Sequence, residues 1–92
     1  MELVEFLKQI LSIGGALDRF KNGEYPYLIY RYRYKENILG FRYDIEYFPF
    51  DVSYNELANA LKEVLGVPFF LGVDYDDTNT KIKCFKATRV FM

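Results

Sequence analysis

Apolar and polar residues alternate with a period of two along residues 25–48, YPYLIYRYRYKENILGFRYDIEYF. This alternation, rich in aromatic and β-branched residues, is typical of β-strands. It predicts two long strands joined by a polar turn at Lys35-Glu36-Asn37. The segment also holds seven of the nine tyrosines in the chain. The positions predicted to share one face are Leu28, Tyr30, Tyr32, Tyr34, Leu39, Phe41, Tyr43, Ile45 and Tyr47.

The two faces of this hairpin limit its register. A shift by one residue would place Phe41 beside Arg33 and mix the aromatic face with the charged face. A register with Arg31 opposite Asp44 keeps the faces separate and adds a cross-strand pair of opposite charge. The sequence therefore predicts that register.

The N-terminal segment 2–21 carries apolar residues at helical spacing, from Leu3 to Phe20. Gly14-Gly15 interrupts it, and each glycine weakens a helix interior by about 1 kcal/mol relative to alanine. The alternatives are one kinked helix or two short helices. The uninterrupted apolar period favours one kinked helix.

A second helix is predicted after residue 53. Ser53 and Glu56 have the spacing of a capping box, in which each side chain bonds the other residue's backbone N–H. The helix is expected to run to about Leu65, where Gly66 and then Pro68 end it.

Two further strands are predicted in the C-terminal part of the chain. In residues 69–75 the apolar residues alternate regularly, and Asp76-Asp77-Thr78-Asn79 reads as a turn rather than a calcium loop. In residues 81–91 the alternation changes phase, which predicts a β-bulge near Cys84–Lys86. Cys84 itself is expected to be a small buried core residue.

The predicted order is α-β-β-α-β-β in a single α+β domain over residues 1–92. Each half of the chain has a helix, then a glycine and a proline, and then two strands. This similarity suggests duplication of an αββ unit, residues 1–50 and 51–92. Right-handed connections favour a four-stranded antiparallel sheet of order 1-2-4-3 with both helices on one face, a permuted ferredoxin-like fold. The alternative is a sheet formed by hairpins pairing across a dimer axis.

The composition argues against several classes of function. Twelve basic and thirteen acidic residues give a net charge of −1, which argues against a dedicated duplex-binding domain. The chain has no histidine, so histidine-dependent catalytic triads are excluded. We expect no enzymatic activity, no cofactor and no metal. The absence of a signal-like N-terminus and of a long apolar run predicts a cytoplasmic protein without a membrane partner.

The length of the hairpin predicts a binding surface. A strand of about ten residues spans roughly 33 Å, whereas a helix of about twelve residues spans roughly 18 Å. The uncovered end would carry Tyr32, Tyr34, Phe41 and Tyr43, unless the first helix covers it. We expect these residues to bind a protein partner, and the chain to form a homodimer.

The alternative is binding of single-stranded nucleic acid through Arg31, Arg33, Lys35 and Arg42, which are interleaved with tyrosines. Most of the tyrosines fall on the opposite face, however. In its abundance of tyrosine and isoleucine and its lack of histidine and tryptophan, the chain resembles small proteins of archaeal viruses and plasmids. That likeness carries no motif and implies no residue role.

Overall fold

The structure is a computed structural model, which describes residues 2–31, 33–37, 42–46, 48–76 and 81–91, with the backbone alone for 33–37 and 42–46. The fold is α+β, with three α-helices and a three-stranded antiparallel sheet in this part of the chain. The elements are α1 (Leu3–Leu11), a 3₁₀ turn (Ile13–Gly15), α2 (Ala16–Lys21), β1 (Tyr27–Arg31), β2 (Arg33–Asn37), β3 (Arg42–Glu46), α3 (Tyr54–Leu65), β4 (Phe69–Tyr75) and β5 (Ile82–Arg89).

The N-terminal segment forms two helices, so the favoured prediction of one kinked helix is wrong. Gly14 and Gly15 have φ angles of 65° and 74°, in the left-handed region that glycine tolerates best. Two consecutive left-handed residues reverse the local twist, and α2 starts in a new direction. The apolar period continues across this break because both helices bury their apolar residues in the same core.

The predicted start and end of α3 are confirmed. The Ser53 hydroxyl accepts from the Glu56 N–H at 3.2 Å, and Glu56 Oε1 accepts from the Ser53 N–H at 3.5 Å. Gly66 ends the helix with φ of 64°. The helix therefore satisfies backbone groups at both ends through its own sequence.

The main sheet has the order β1-β5-β4, and β5 pairs antiparallel with both neighbours. The four-stranded sheet of order 1-2-4-3 is not shown. The last two predicted strands do pair as expected. The other neighbour of β5 is the start of the first predicted strand, however, and not the second.

The long first strand of the predicted hairpin is divided between two sheets. β1 pairs with β5 as far as Arg31, which lies opposite Cys84. Beyond that point the Phe48 N–H donates to the Ile82 carbonyl at 3.5 Å, so the returning chain takes the place beside β5. β2 and β3 form a separate two-stranded sheet, the ribbon.

The register predicted for the hairpin is wrong by four residues. Asp44 lies opposite Lys35, and Arg33 lies opposite Glu46, so Arg31 is not the cross-strand partner of Asp44. A shift by an even number of residues nevertheless keeps the predicted aromatic positions on one face of the hairpin. Tyr34, for example, lies opposite Ile45. The predicted turn residues Lys35, Glu36 and Asn37 belong to β2.

The predicted bulge in the last strand is present, but it falls at Lys83. Asp74 lies opposite Cys84 and Tyr75 lies opposite Ile82, which leaves Lys83 without a position in the β4 register. This extra residue allows Ile82 and Phe85 to be buried on the same side despite their odd separation. Before the bulge, Asp76 closes the turn by exchanging hydrogen bonds with Lys81, at 2.8 and 3.1 Å; residues 77–80 lie outside the described part.

The core lies between the main sheet and the helices. Phe48 is at its centre, with ring contacts of 5.4 to 6.0 Å to the aromatic residues Phe6, Tyr30, Phe50 and Phe85. The molecule measures 49 × 27 × 24 Å. The eight residues of β5 span about 27 Å, so the main sheet alone does not account for the longest dimension.

None of the helices in the described ranges combines the length and the apolar character required to cross a membrane.

Candidate interaction surface

The side of the main sheet that faces away from the helices is an open surface, here called the outer face. Residues at alternate positions of each strand point to it, because side chains in a strand alternate between the two sides. The strand register aligns these positions in rows across the sheet. They are Tyr27, Ile29 and Arg31 in β1, Cys84, Lys86 and Thr88 in β5, and Phe70, Gly72 and Asp74 in β4.

Three large apolar side chains of the outer face are exposed. Tyr27 is 45%, Ile29 38% and Phe70 71% accessible to solvent. Tyr27 and Phe70 lie opposite the same residue, Thr88, from the two sides of β5. The outer face therefore carries three exposed apolar side chains on its two edge strands, here called the apolar row, with Thr88 and Lys86 of β5 between them.

Charged groups accompany this row. The Lys86 ammonium lies 4.5 Å from the centre of the Tyr27 ring, within the range of a cation–π interaction. Arg31 and Asp74 lie on either side of Cys84 in the register. Cys84 is half-buried on this face and is not the core residue that the sequence predicted.

Within the described residues, no strand pairs with the outer edge of β1. The Arg89 N–H donates to the Pro26 carbonyl at 2.8 Å, which fixes the direction of the ladder between β1 and β5. Because hydrogen-bonding direction alternates along an antiparallel strand, Leu28 and Tyr30 face β5. The N–H and C=O groups of Tyr27, Ile29 and Arg31 therefore point away from the sheet.

The opposite edge, formed by β4, is partly occupied. The Val90 N–H donates to the Pro68 carbonyl at 3.0 Å, so Phe69, Leu71 and Val73 direct their backbone groups outward. The Tyr54 hydroxyl, at the start of α3, donates to the Leu71 carbonyl at 2.8 Å. This contact occupies the middle of the β4 edge, so the two edges of the sheet are not equivalent.

A groove follows the open edge of β1. Two cavities, of about 470 and 380 Å³, lie along it and share the residues Ala16, Leu28 and Ile29. The far wall of the larger cavity is formed by α1 and the 3₁₀ turn, including Ile10 and Ile13. The groove therefore runs between an edge strand and a helical segment, and its lining is mainly apolar.

The segment between α2 and β1 is held by two arginines. Arg19 Nη1 donates to the Tyr25 hydroxyl at 2.8 Å, and this hydrogen bond raises the pKa of the Arg19 guanidinium above its usual value. Arg89 Nη1 donates to the carbonyl oxygens of Phe20 and Lys21, both at 2.8 Å, at the end of α2. These contacts fix α2, and with it one end of the groove, relative to β1 and β5.

Two of the four predicted partner-binding residues, Tyr32 and Phe41, lie outside the described residues. Tyr34 and Tyr43 belong to β2 and β3, opposite Ile45 and Glu36 respectively, and the register assigns them to one face of the ribbon. Among the predicted nucleic-acid-binding residues, Arg31 lies on the outer face of the main sheet. Arg33, Lys35 and Arg42 belong to the ribbon, at positions of the other face.

The outer face was not predicted from the sequence as a candidate site. Ile29 and Phe70 carried the available signal, since each is a large apolar residue at a position of its strand predicted to face solvent. A single residue of this kind is common on protein surfaces. Only the strand order, which places β1 and β4 on either side of β5, brings them onto one face of the same sheet.

No protein-family model, curated protein or solved structure matches this chain. Within the described residues, no three acidic or cysteine side chains group as metal ligands would. The interpretation of the site therefore depends on its geometry.

Proposed function

We propose that this chain is a small non-enzymatic protein-interaction module that binds a partner protein through the outer face. The observation that carries the proposal is the apolar row of Tyr27, Ile29 and Phe70, which is exposed on β1 and β4, the strands on either side of β5. Several exposed apolar residues on one face mark an interaction site more often than a single one does. Tyrosine and phenylalanine are also enriched at such interfaces because they bury a large area.

The ribbon extends this proposal. Tyr34 and Tyr43 share one of its faces in the backbone register, and the ribbon follows directly from β1. We propose that the aromatic face of the ribbon adds to the contact with the partner. Replacing both tyrosines with serine is then expected to weaken partner binding while the main sheet stays folded.

The proposal is tested by comparing Phe70→Ser with the matched control Phe91→Ser. Phe91 is 64% exposed but lies beyond the end of β5, outside the apolar row. The two variants and the unmodified chain are immobilised and incubated with an extract of the source cells, and the retained proteins are identified by mass spectrometry. Far-UV circular dichroism checks that each variant is folded.

We expect at least one protein to be retained by the unmodified chain and by Phe91→Ser, and to be lost on Phe70→Ser. Equal retention by all three baits would contradict the use of the outer face, because Phe70 is the most exposed side chain of the apolar row. A protein lost equally on both variants would contradict it as well.

A second candidate is binding of single-stranded nucleic acid. The specific observation that favours it is that Arg31 and Lys86 share the outer face with Tyr27 and Phe70. Open sheets that combine cations with exposed aromatic rings bind single strands by stacking and charge. The net charge of −1 and the presence of Asp74 on the same face make it the second choice.

Fluorescence anisotropy with labelled single-stranded oligonucleotides tests this candidate. Binding should weaken steeply with added salt, and Lys86→Gln combined with Arg31→Gln should weaken it at every salt concentration. Lys62→Gln with Lys21→Gln is a control that removes the same charge from helix surfaces. An absence of binding at low salt would rule the candidate out.

A further inference from the structure

We propose that two copies of this chain pair through the open edge of β1, antiparallel and with Ile29 on the two-fold axis. Three strands from each copy would then form one continuous sheet of six. This inference concerns the edge of the sheet and a second copy of the chain. It goes beyond the proposed function, in which the outer face binds a different protein.

The backbone of β1 favours this pairing. Tyr27, Ile29 and Arg31 direct their N–H and C=O groups away from β5, as the Arg89–Pro26 hydrogen bond requires. Edge strands with unpaired backbone groups are templates for pairing with another chain. With Ile29 on the axis, Ile29 pairs with its own counterpart, and Tyr27 pairs with Arg31 of the second copy. Each of these pairs exchanges two hydrogen bonds.

The position of the charged residue in β1 favours the antiparallel arrangement. Arg31 is the charged residue of β1, whose sequence is YLIYR. Antiparallel pairing about Ile29 places each Arg31 opposite Tyr27 of the other copy and not opposite the second Arg31. The two Arg31 residues are then about 14 Å apart along the strand. This exceeds the Debye length at physiological salt, about 8 Å, whereas parallel pairing in register would place them side by side.

The two edges of the sheet differ in how their backbone groups are occupied. On β4 the Tyr54 hydroxyl donates to the Leu71 carbonyl. Proteins protect edge strands by covering their backbone groups in this way. On β1 the central residue is Ile29, and the groove beside the edge is lined by apolar residues of the helical side. A second copy would close this groove and shield Ile13, which is 63% exposed.

The test compares Ile29→Pro with Ile29→Thr by multi-angle light scattering under reducing conditions, from micromolar to millimolar concentration. Proline removes the outward N–H at position 29, whereas threonine keeps this donor and the β-branched shape. Neither change removes a hydrogen bond between β1 and β5, because Ile29 does not face β5. We expect the unmodified chain and Ile29→Thr to reach twice 10.9 kDa, and Ile29→Pro to remain at the monomer mass.

Three results would overturn the proposal: a monomer mass for the unmodified chain throughout, a dimer mass for Ile29→Pro, or a monomer mass for both variants. The last result would assign the contact to the Ile29 side chain on the outer face. Phe70→Ser separates the two proposals, because it should lose partner binding and still dimerise. The dimer proposal can thus fail without the proposed function, and the reverse also holds.

Cross-linking provides a second measurement in case Ile29→Pro does not fold. Ile29→Cys and Phe70→Cys are each made with Cys84→Ser and treated with a short bifunctional maleimide. The Cα atoms at position 29 should be about 5.5 Å apart across the dimer axis. Those at position 70 would be separated by five strand spacings across the sheet, about 24 Å, and by about 14 Å along the strands. Efficient cross-linking at position 29 alone supports the proposal, and equal cross-linking at both positions or none at position 29 overturns it.

Discussion

At the scale of single residues, two glycines determine the path of the N-terminal segment. Gly14 and Gly15 both have positive φ angles, and together they separate α1 from α2. A Cβ atom added at Gly14 would meet no atom within 4 Å, so the requirement for glycine there is one of backbone conformation. The energetic effect of a substitution can therefore be separated from any steric clash.

We expect Gly14→Ala to lower the free energy of unfolding by about 1–2 kcal/mol, the conformational penalty for a left-handed residue with a side chain. Gly14→Asn should cost less, because asparagine adopts this conformation more readily. Urea denaturation followed by circular dichroism measures both. Equal stability of the alanine variant and the unmodified chain would show that the glycine is not required at this position.

At the scale of secondary-structure elements, features that depend on neighbouring residues were predicted correctly, whereas the pairing of distant strands was not. The capping box of α3 and its Gly66 end depend on residues a few positions apart, and both were correct. One kinked helix was predicted in place of α1 and α2 because the helical spacing of apolar residues continues across the break. Both helices bury these residues in the same core. The residues at which β1 ends and β2 begins give no local signal. The division depends on Phe48 bonding to Ile82, far away in sequence.

The bulge at Lys83 shows how one residue sets the orientation of an element. The change of phase in residues 81–91 predicted a bulge, although the sequence did not give its exact position. Ile82 and Phe85 are fully buried, and they share a face despite their odd separation because the bulge accommodates Lys83 as an extra residue in β5. Cys84, by contrast, lies on the outer face.

Deletion of Lys83 is expected to be tolerated about as well as its substitution. Without this residue the strand alternates regularly, and Ile82 and Phe85 are two positions apart, so both still face the core. Lys83→Ala keeps the chain length and should change the free energy of unfolding by no more than about 0.5 kcal/mol. Thermal unfolding of the two variants checks both outcomes, and a large fall in melting temperature for the deletion alone would show that the bulge itself is needed.

At the scale of the whole molecule, the candidate site could be predicted only in part. The sequence indicated an excess of aromatic residues around β1 and the absence of histidine chemistry. It could not indicate the outer face, because that surface depends on β1 and β4 lying on either side of β5. The predicted tip residues Tyr32 and Phe41 lie outside the described ranges, and their role as a partner-binding site stays a prediction.

The first predicted hairpin strand pairs with β5 only as far as Arg31, and Phe48 takes the next place beside β5. This division affects which parts of the molecule unfold locally. β5 has hydrogen-bonded neighbours on both sides and a buried face, whereas β2 and β3 have only each other as strand partners in the described part. An isolated pair of strands is marginally stable in water. Amide protons of β2 and β3 should therefore exchange with deuterium through local opening, long before those of Phe85 and Ala87, which require global unfolding. Mass spectrometry of exchanged peptides would resolve the two classes, and a single uniform exchange rate would show that ribbon and main sheet unfold as one cooperative unit.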